Sequence, residues 1–179
     1  RERRYECGDY LEVDVYPVYK TAKQRNRQAK PTSEVQEKLN QRNSERELIR
    51  VLNANFTRED LEIHLTFENH PLPENYEEAK RMSDNFMRRV KYRYKKAGIA
   101  LKYVVVISGD ETHRWHYHIT LTGGIDRDEL EALWPYGYAN SRRLQFNENG
   151  VEGLSRYISR QHLQEEGYER AKGRRRWFG

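Results

Sequence analysis

Lys102-Tyr103-Val104-Val105-Val106-Ile107-Ser108-Gly109-Asp110-Glu111-Thr112-His113-Arg114-Trp115-His116-Tyr117-His118-Ile119-Thr120-Leu121-Thr122 is the stretch that decides the fold of this chain. Its first arm is a β-branched run and Gly109-Asp110-Glu111 is a turn signal. The second arm has strand character, so the pair predicts a β-hairpin. Residues two apart on a strand share a face, which sets His116 and His118 side by side on the sheet. Two neutral imidazoles held in that way can grip one divalent metal ion. A strand that needed only a buried face would carry Val or Ile at both positions.

Working outward, Leu61-Glu62-Ile63-His64-Leu65-Thr66-Phe67 alternates strictly and predicts another strand. Between it and the hairpin, Ala79, Met82, Phe86, Val90 and Tyr94 recur at three to four residues, the signature of an amphipathic helix that Gly98 ends. Downstream, Gly123-Gly124 closes the hairpin and Asp126 caps a short helix to Leu133. Tyr136 to Phe146 is a further strand with an irregular start. Gly150 to Glu165 is a helix with Val151, Leu154 and Ile158 on its apolar side. Upstream, Tyr10 to Tyr19 alternates and is rich in Val and Tyr, as a strand would be. A basic loop (20–33) follows, then a helix through Val35, Leu39, Leu48, Val51 and Leu52, with Ser33 and Gln36 forming a capping box. This order predicts an α+β fold: a central antiparallel sheet with helices packed on one face and a site on the open face.

The chain has 179 residues, enough for one domain with an ordinary core. Charged residues make up 34% and no run approaches the roughly 20 apolar residues that span a bilayer. The opening Arg1-Glu2-Arg3-Arg4 is unlike a secretory signal, and Cys7 is the single cysteine, which excludes an internal disulfide and a thiolate zinc cluster. A cytoplasmic protein without a membrane partner is the expectation. The net charge is +5, and the basic residues are clustered. Lys20, Lys23, Arg25, Arg27 and Lys30 share a segment without acids. Arg88, Arg89, Lys91, Arg93, Lys95 and Lys96 follow closely on one another, and Arg174-Arg175-Arg176 precedes Trp177. Any one cluster suits a solvated helix face or tail as well as a phosphate backbone. Three clusters with 12% aromatic residues favour nucleic acid.

Two chemical constellations stand out. Tyr157 and Arg160 are three apart on the last helix and share a face. A tyrosine with its ordinary pKa near ~10 is a poor nucleophile, but a metal on a phosphodiester and a neighbouring cation can make it competent. A tyrosine in this place is also an ordinary core residue at the edge of an apolar stripe. Alternatively, His64-Leu65-Thr66 and His118-Ile119-Thr120 are paired His-x-Thr strands. Such pairs resemble the two-histidine phosphoesterases, which act on phosphate without metal.

Most of the chain resembles the HUH-endonuclease initiators of rolling-circle replication, specifically replication-associated proteins of phages and mobile elements in Gram-positive bacteria, related to the filamentous-phage gene II initiators. Leu65-Thr66-Phe67 matches the family's first motif, His116-Tyr117-His118 its His-hydrophobic-His motif, and Tyr157-Ile158-Ser159-Arg160 occupies the place of its Tyr-x-x-Lys helix. The resemblance implies one HUH endonuclease domain over 1–179, with 168–179 as a basic aromatic tail that a longer protein would continue. It also implies Mn²⁺ or Mg²⁺ on His116 and His118, attack by Tyr157 on single-stranded origin DNA, and a 5′-phosphotyrosyl link. Arg142, Arg143, Arg174, Arg175, Arg176 and Trp177 would contact DNA, and a bacterial host would supply helicase and polymerase. Arg160 stands where the family usually has Lys; it keeps the charge but cannot give up a proton. For the third metal ligand, the expected place near Ser108 offers no strong donor. Asp110, Glu111, His113 and His64 are the candidates. Asp110 and Glu111 double as turn residues, and His64 reads most simply as a half-exposed strand residue. A non-catalytic DNA-binding module on the same fold is the remaining alternative.

Overall fold

A computed structural model of the protein describes residues 1–18, 34–69, 72–109, 114–151, 153–154 and 177–179. The elements are β1 (Glu2–Cys7), β2 (Tyr10–Val15), α1 (Glu34–Asn55), β3 (Leu61–Thr66), α2 (Tyr76–Ala97), β4 (Tyr103–Ser108), β5 (His116–Leu121), α3 (Arg127–Glu131) and β6 (Ala139–Arg143). They fall into two compact units, Arg1–Asn55 and Phe56–Gly179.

In the first unit β1 and β2 form an antiparallel hairpin, from Glu2 opposite Val15 to Cys7 opposite Tyr10. The alternation of β2 is inverted: Leu11, Val13 and Val15 are exposed, whereas Glu12 and Asp14 are half-buried. Arg50 of α1 accounts for the inversion. It donates through Nε and Nη2 to Glu12 at 2.9 and 2.8 Å and through Nη2 to Asp14 at 2.8 Å, with its guanidinium over the Tyr5 ring. A fork of donors meeting two carboxylates and an aromatic face replaces the apolar contact that usually joins strand to helix. The strand expected from Tyr10 stops at Val15, and its partner β1 was not expected, because Glu2-Arg3-Arg4 reads as a charge run. Leu39, placed on the apolar side of α1, is exposed, while Leu48 and Leu52 are buried. The Ser33 cap lies outside the described residues.

The second unit is built on an antiparallel sheet of order β4-β5-β3-β6. The expected hairpin is present as β4–β5, with Ser108 opposite His116 and Tyr103 opposite Leu121. β3 inserts on the far side of β5, placing His64 opposite His118 and Thr66 opposite His116. β6 then flanks β3, with Arg142 opposite Glu62. One sheet face carries Leu61, Ile63, Leu65, Val105, Tyr117, Ile119 and Leu121. It is buried against Ala79, Phe86, Val90 and Tyr94 of α2 and Leu130 of α3. Full burial of such a side chain contributes about 1.5–3 kcal/mol, so this layer fixes which face of each strand is left for chemistry.

β6 begins irregularly, as expected, but is shorter than 136–146. Thr66 and Tyr138 exchange backbone hydrogen bonds at 2.8 and 3.0 Å, and Gly137 between Tyr136 and Tyr138 has φ 153°. A Cβ on Gly137 would lie 2.4 Å from the Glu68 nitrogen, so only glycine lets the chain approach β3 so closely. Of the helix expected over 150–165, Gly150, Val151, Gly153 and Leu154 are described: Gly150 is in a β-bridge with Asn147 and Val151 in a turn, and Gly153 and Leu154 are helical. On the outer side of β4, Val105 exchanges backbone hydrogen bonds with Phe178 at 2.7 and 3.0 Å.

Candidate metal centre

The core-facing alternation of β3 and β5 places Glu62, His64 and Thr66 on the opposite face with His116, His118 and Thr120. Tyr117, between the two histidines, points into the core and anchors the strand: its hydroxyl donates to the Ala79 carbonyl at 2.8 Å. Burial pushes that phenol well above the ordinary tyrosine range, so Tyr117 cannot serve as a nucleophile. The same alternation seats Ser108 beside His116, where no strong metal donor stands.

His64, His116 and His118 each bring one ring nitrogen to within 4.8 Å of the others. The His64 and His118 rings stack at 4.6 Å, nearly parallel, and His116 meets them edge-on at 5.5 and 5.4 Å. His118 Nδ1 lies 3.0 Å from Glu62 Oε1, and His116 Nδ1 lies 3.1 Å from the Arg114 carbonyl. A carboxylate and a carbonyl only accept, so both rings carry a proton on Nδ1, and in the neutral form of each the lone pair is on Nε2. Carboxylate or carbonyl support of the far nitrogen is the usual arrangement behind a metal-binding histidine.

The electrostatics agree with a metal-binding role. His64 is pushed down to about 4, first by burial and then by its two histidine neighbours, so it stays neutral near pH 7. Its Nε2 is buried and has no hydrogen-bond partner among the described residues. An unsatisfied buried nitrogen is costly unless something occupies its lone pair, and a cation would do so. Burial alone would push the Glu62 carboxyl up. The hydrogen bond from His118 and the charge of Arg142 outweigh that and hold it below the usual carboxylate range. Glu62 is therefore an anion, with Oε2 accepting from Arg142 Nε at 2.6 Å. Three clustered imidazoles, two of them with Nδ1 held by an acceptor, fit a divalent ion.

Of the residues expected to act, the structure gathers His116, His118 and His64. His64 is also the partly buried strand residue that its plainest reading foresaw. Asp110, Glu111, His113, Tyr157, Arg160, Arg174, Arg175 and Arg176 lie outside the described residues. Arg142 and Arg143 occupy opposite sides of β6, and only Arg142 shares the histidine face. Arg143 is engaged by Glu59, through its carbonyl at 2.9 Å and its carboxylate at 2.8 Å. Trp177 is partly exposed. The residue missed from sequence is Glu62. Its charge inside a strict alternation reads as solvent-facing, and the signal that could have found it was its position two residues before His64, on the same face.

A family model for replication-associated proteins, covering the ORF2 and gene II protein types, matches residues 60–162, more than half of the chain. The protein belongs to this family of rolling-circle replication initiators. No curated protein and no solved structure gives a significant match. Among the described residues no helix is long and apolar enough to cross a membrane.

Proposed function

We propose that the protein nicks and rejoins single-stranded DNA at a replication origin, with Tyr157 as nucleophile and His64, His116 and His118 as ligands of Mn²⁺ or Mg²⁺. The observation that carries this reading is the cluster of three imidazoles on one sheet face, two of them with Nδ1 held by a carboxylate or carbonyl acceptor. A divalent ion bound there would act as a Lewis acid on the scissile phosphate. The Tyr157 phenol gives up its proton to solvent and its oxygen attacks phosphorus, the bond to the 3′-oxygen breaks, and that oxygen takes a proton from solvent and leaves as a 3′-hydroxyl on which a host polymerase can act. The 5′-phosphotyrosyl link conserves the bond energy, so attack by a 3′-hydroxyl rejoins the strand. The Arg160 cation offsets charge on the phenolate and the phosphorane. Arg142, on the histidine face, would receive a backbone phosphate. Unwinding would fall to a host helicase.

The two-histidine phosphoesterase reading draws on the direct pairing of His64 with His118. It needs one histidine as a general acid, and a His64 held near about 4 has no proton to give at neutral pH, which leaves that role to His118 alone. It also leaves His116 without a role. A labelled origin oligonucleotide incubated with Mn²⁺ separates the readings. The nickase gives a covalent protein–DNA adduct that chelation prevents and Tyr157→Phe abolishes. Cleavage that survives both treatments supports the phosphoesterase, and binding without cleavage supports a non-catalytic module.

A further inference from the structure

Glu62 is 2% exposed, yet it lies on the face of the sheet that carries the polar residues. An ionised carboxylate buried to that degree is costly unless its oxygens are satisfied. Here each oxygen has a partner on a different neighbouring strand. Oε1 accepts from Nδ1 of His118 on β5, and Oε2 accepts from Nε of Arg142 on β6. The register makes this possible: Glu62 sits opposite Arg142 on one side and is diagonal to His118 on the other. Arg142 differs from Glu62 in exposure. Its side chain is 57% exposed, and Glu62 is its only partner among the described residues. Nε is committed inward while the Nη end of the fork is left toward solvent.

We propose that Glu62 is a positioning residue that does two things at once: it fixes His118 as an Nε2 metal donor, and it aims the outer end of the Arg142 guanidinium along the same face to receive a DNA phosphate. The proposal rests on the metal-dependent reading of the histidine cluster. One carboxylate thereby joins a ligand of the ion to a contact for the strand. A lysine at 142 could not make the same division, because it has no second set of donors rigidly coupled to the first. A plain structural ion pair between Glu62 and Arg142 would stabilise the fold without involving the histidine, and that is the rival explanation.

The test compares wild type with Glu62→Leu and Glu62→Gln, with folding of each checked by amide NMR spectra. Two readouts are independent of nicking. In metal-free protein, long-range ¹H–¹⁵N spectra report which nitrogen of His118 carries the proton. Calorimetry with Mn²⁺ alone reports metal affinity. Wild type shows the Nδ1–H form. Glu62→Leu loses that preference and binds Mn²⁺ about 10–100-fold more weakly, the usual cost of losing such a support. Glu62→Gln keeps a carbonyl acceptor, so it retains the tautomer and recovers most of the affinity. A His118 tautomer and Mn²⁺ affinity unchanged in folded Glu62→Leu would overturn the proposal, and so would failure of Glu62→Gln to restore either. Absence of Mn²⁺ binding by wild type would instead count against the metal-dependent reading, and the tautomer comparison would still decide the role of Glu62.

Discussion

His64 is a partly buried strand residue that also stands within reach of two other imidazoles. Strand alternation makes it a polar residue among Leu61, Ile63 and Leu65, and its partial burial is what any such residue would have. Only the cross-strand register reveals that its neighbours are two more imidazoles. The pattern of one strand holds no information about the opposite one, which is why His116 and His118 were legible as a pair and His64 was legible only as one of four candidates for their partner. Glu62 was hidden for the same reason. The burial of His64 has a measurable consequence. Its pKa falls from the ordinary value near ~6.5 to about 4 on folding. Between those values the unfolded chain takes up a proton that the folded chain refuses. This contribution to stability is complete above about pH 6.5 and drains as pH falls toward about 4. Glu62, held below the carboxylate range, acts in a lower window. The metal-free protein should thus lose more denaturation midpoint between about pH 7 and about pH 4.5 than His64→Gln does. Equal losses in urea melts at the two pH values would contradict the assignment.

At the scale of elements, α2 was the most legible part because its instructions are local. The Asn75 side chain accepts from the Glu78 nitrogen at 3.0 Å, and the Glu78 side chain reaches back past the cap to accept from the Glu74 nitrogen at 3.0 Å, a variant of the capping box. The far end closes on Gly98 at φ 70°, with Gly98 donating to the Lys95 carbonyl and Ile99 to that of Tyr94. This is the left-handed closure that glycine favours. A Cβ there would meet nothing within 4 Å, so Gly98→Ala isolates backbone strain from steric overlap. The expected cost is about 1–2 kcal/mol, read as a lowered chemical-denaturation midpoint with an unchanged slope. A neutral substitution would mean that the helix end relaxes. By contrast, β1 and the inverted face of β2 were illegible. Their cohesion comes from Arg50 bridging Glu12, Asp14 and Tyr5, and ion pairs leave no periodic trace in a sequence.

Across the whole molecule, the hairpin of β4 and β5 could be read because its arms are adjacent in the chain. The placement of β3 between β5 and β6 could not, since it depends on pairings between strands far apart in sequence, such as His64 with His118 and Leu61 with Leu121. The α+β class and the packing of α2 and α3 on one face followed from element order and apolar spacing alone. The bridge between Val105 and Phe178 bears on how copies of the molecule meet one another. β4 is an outermost strand and contains Val104-Val105-Val106-Ile107, a run with high pairing tendency. Unguarded edges of this kind invite strand-to-strand growth into aggregates. Phe178 occupies both backbone hydrogen-bonding groups of Val105, and a Cβ on Gly179 would lie 2.1 Å from the Tyr103 oxygen, so the blocking chain lies directly along that edge. Removing residues 177–179 should give a protein whose light scattering rises more steeply with concentration than that of the intact chain. Scattering no greater than that of the intact chain would show the edge to be harmless. Phe178 and Gly179 thus cover part of the backbone edge of β4 that another strand would need for pairing.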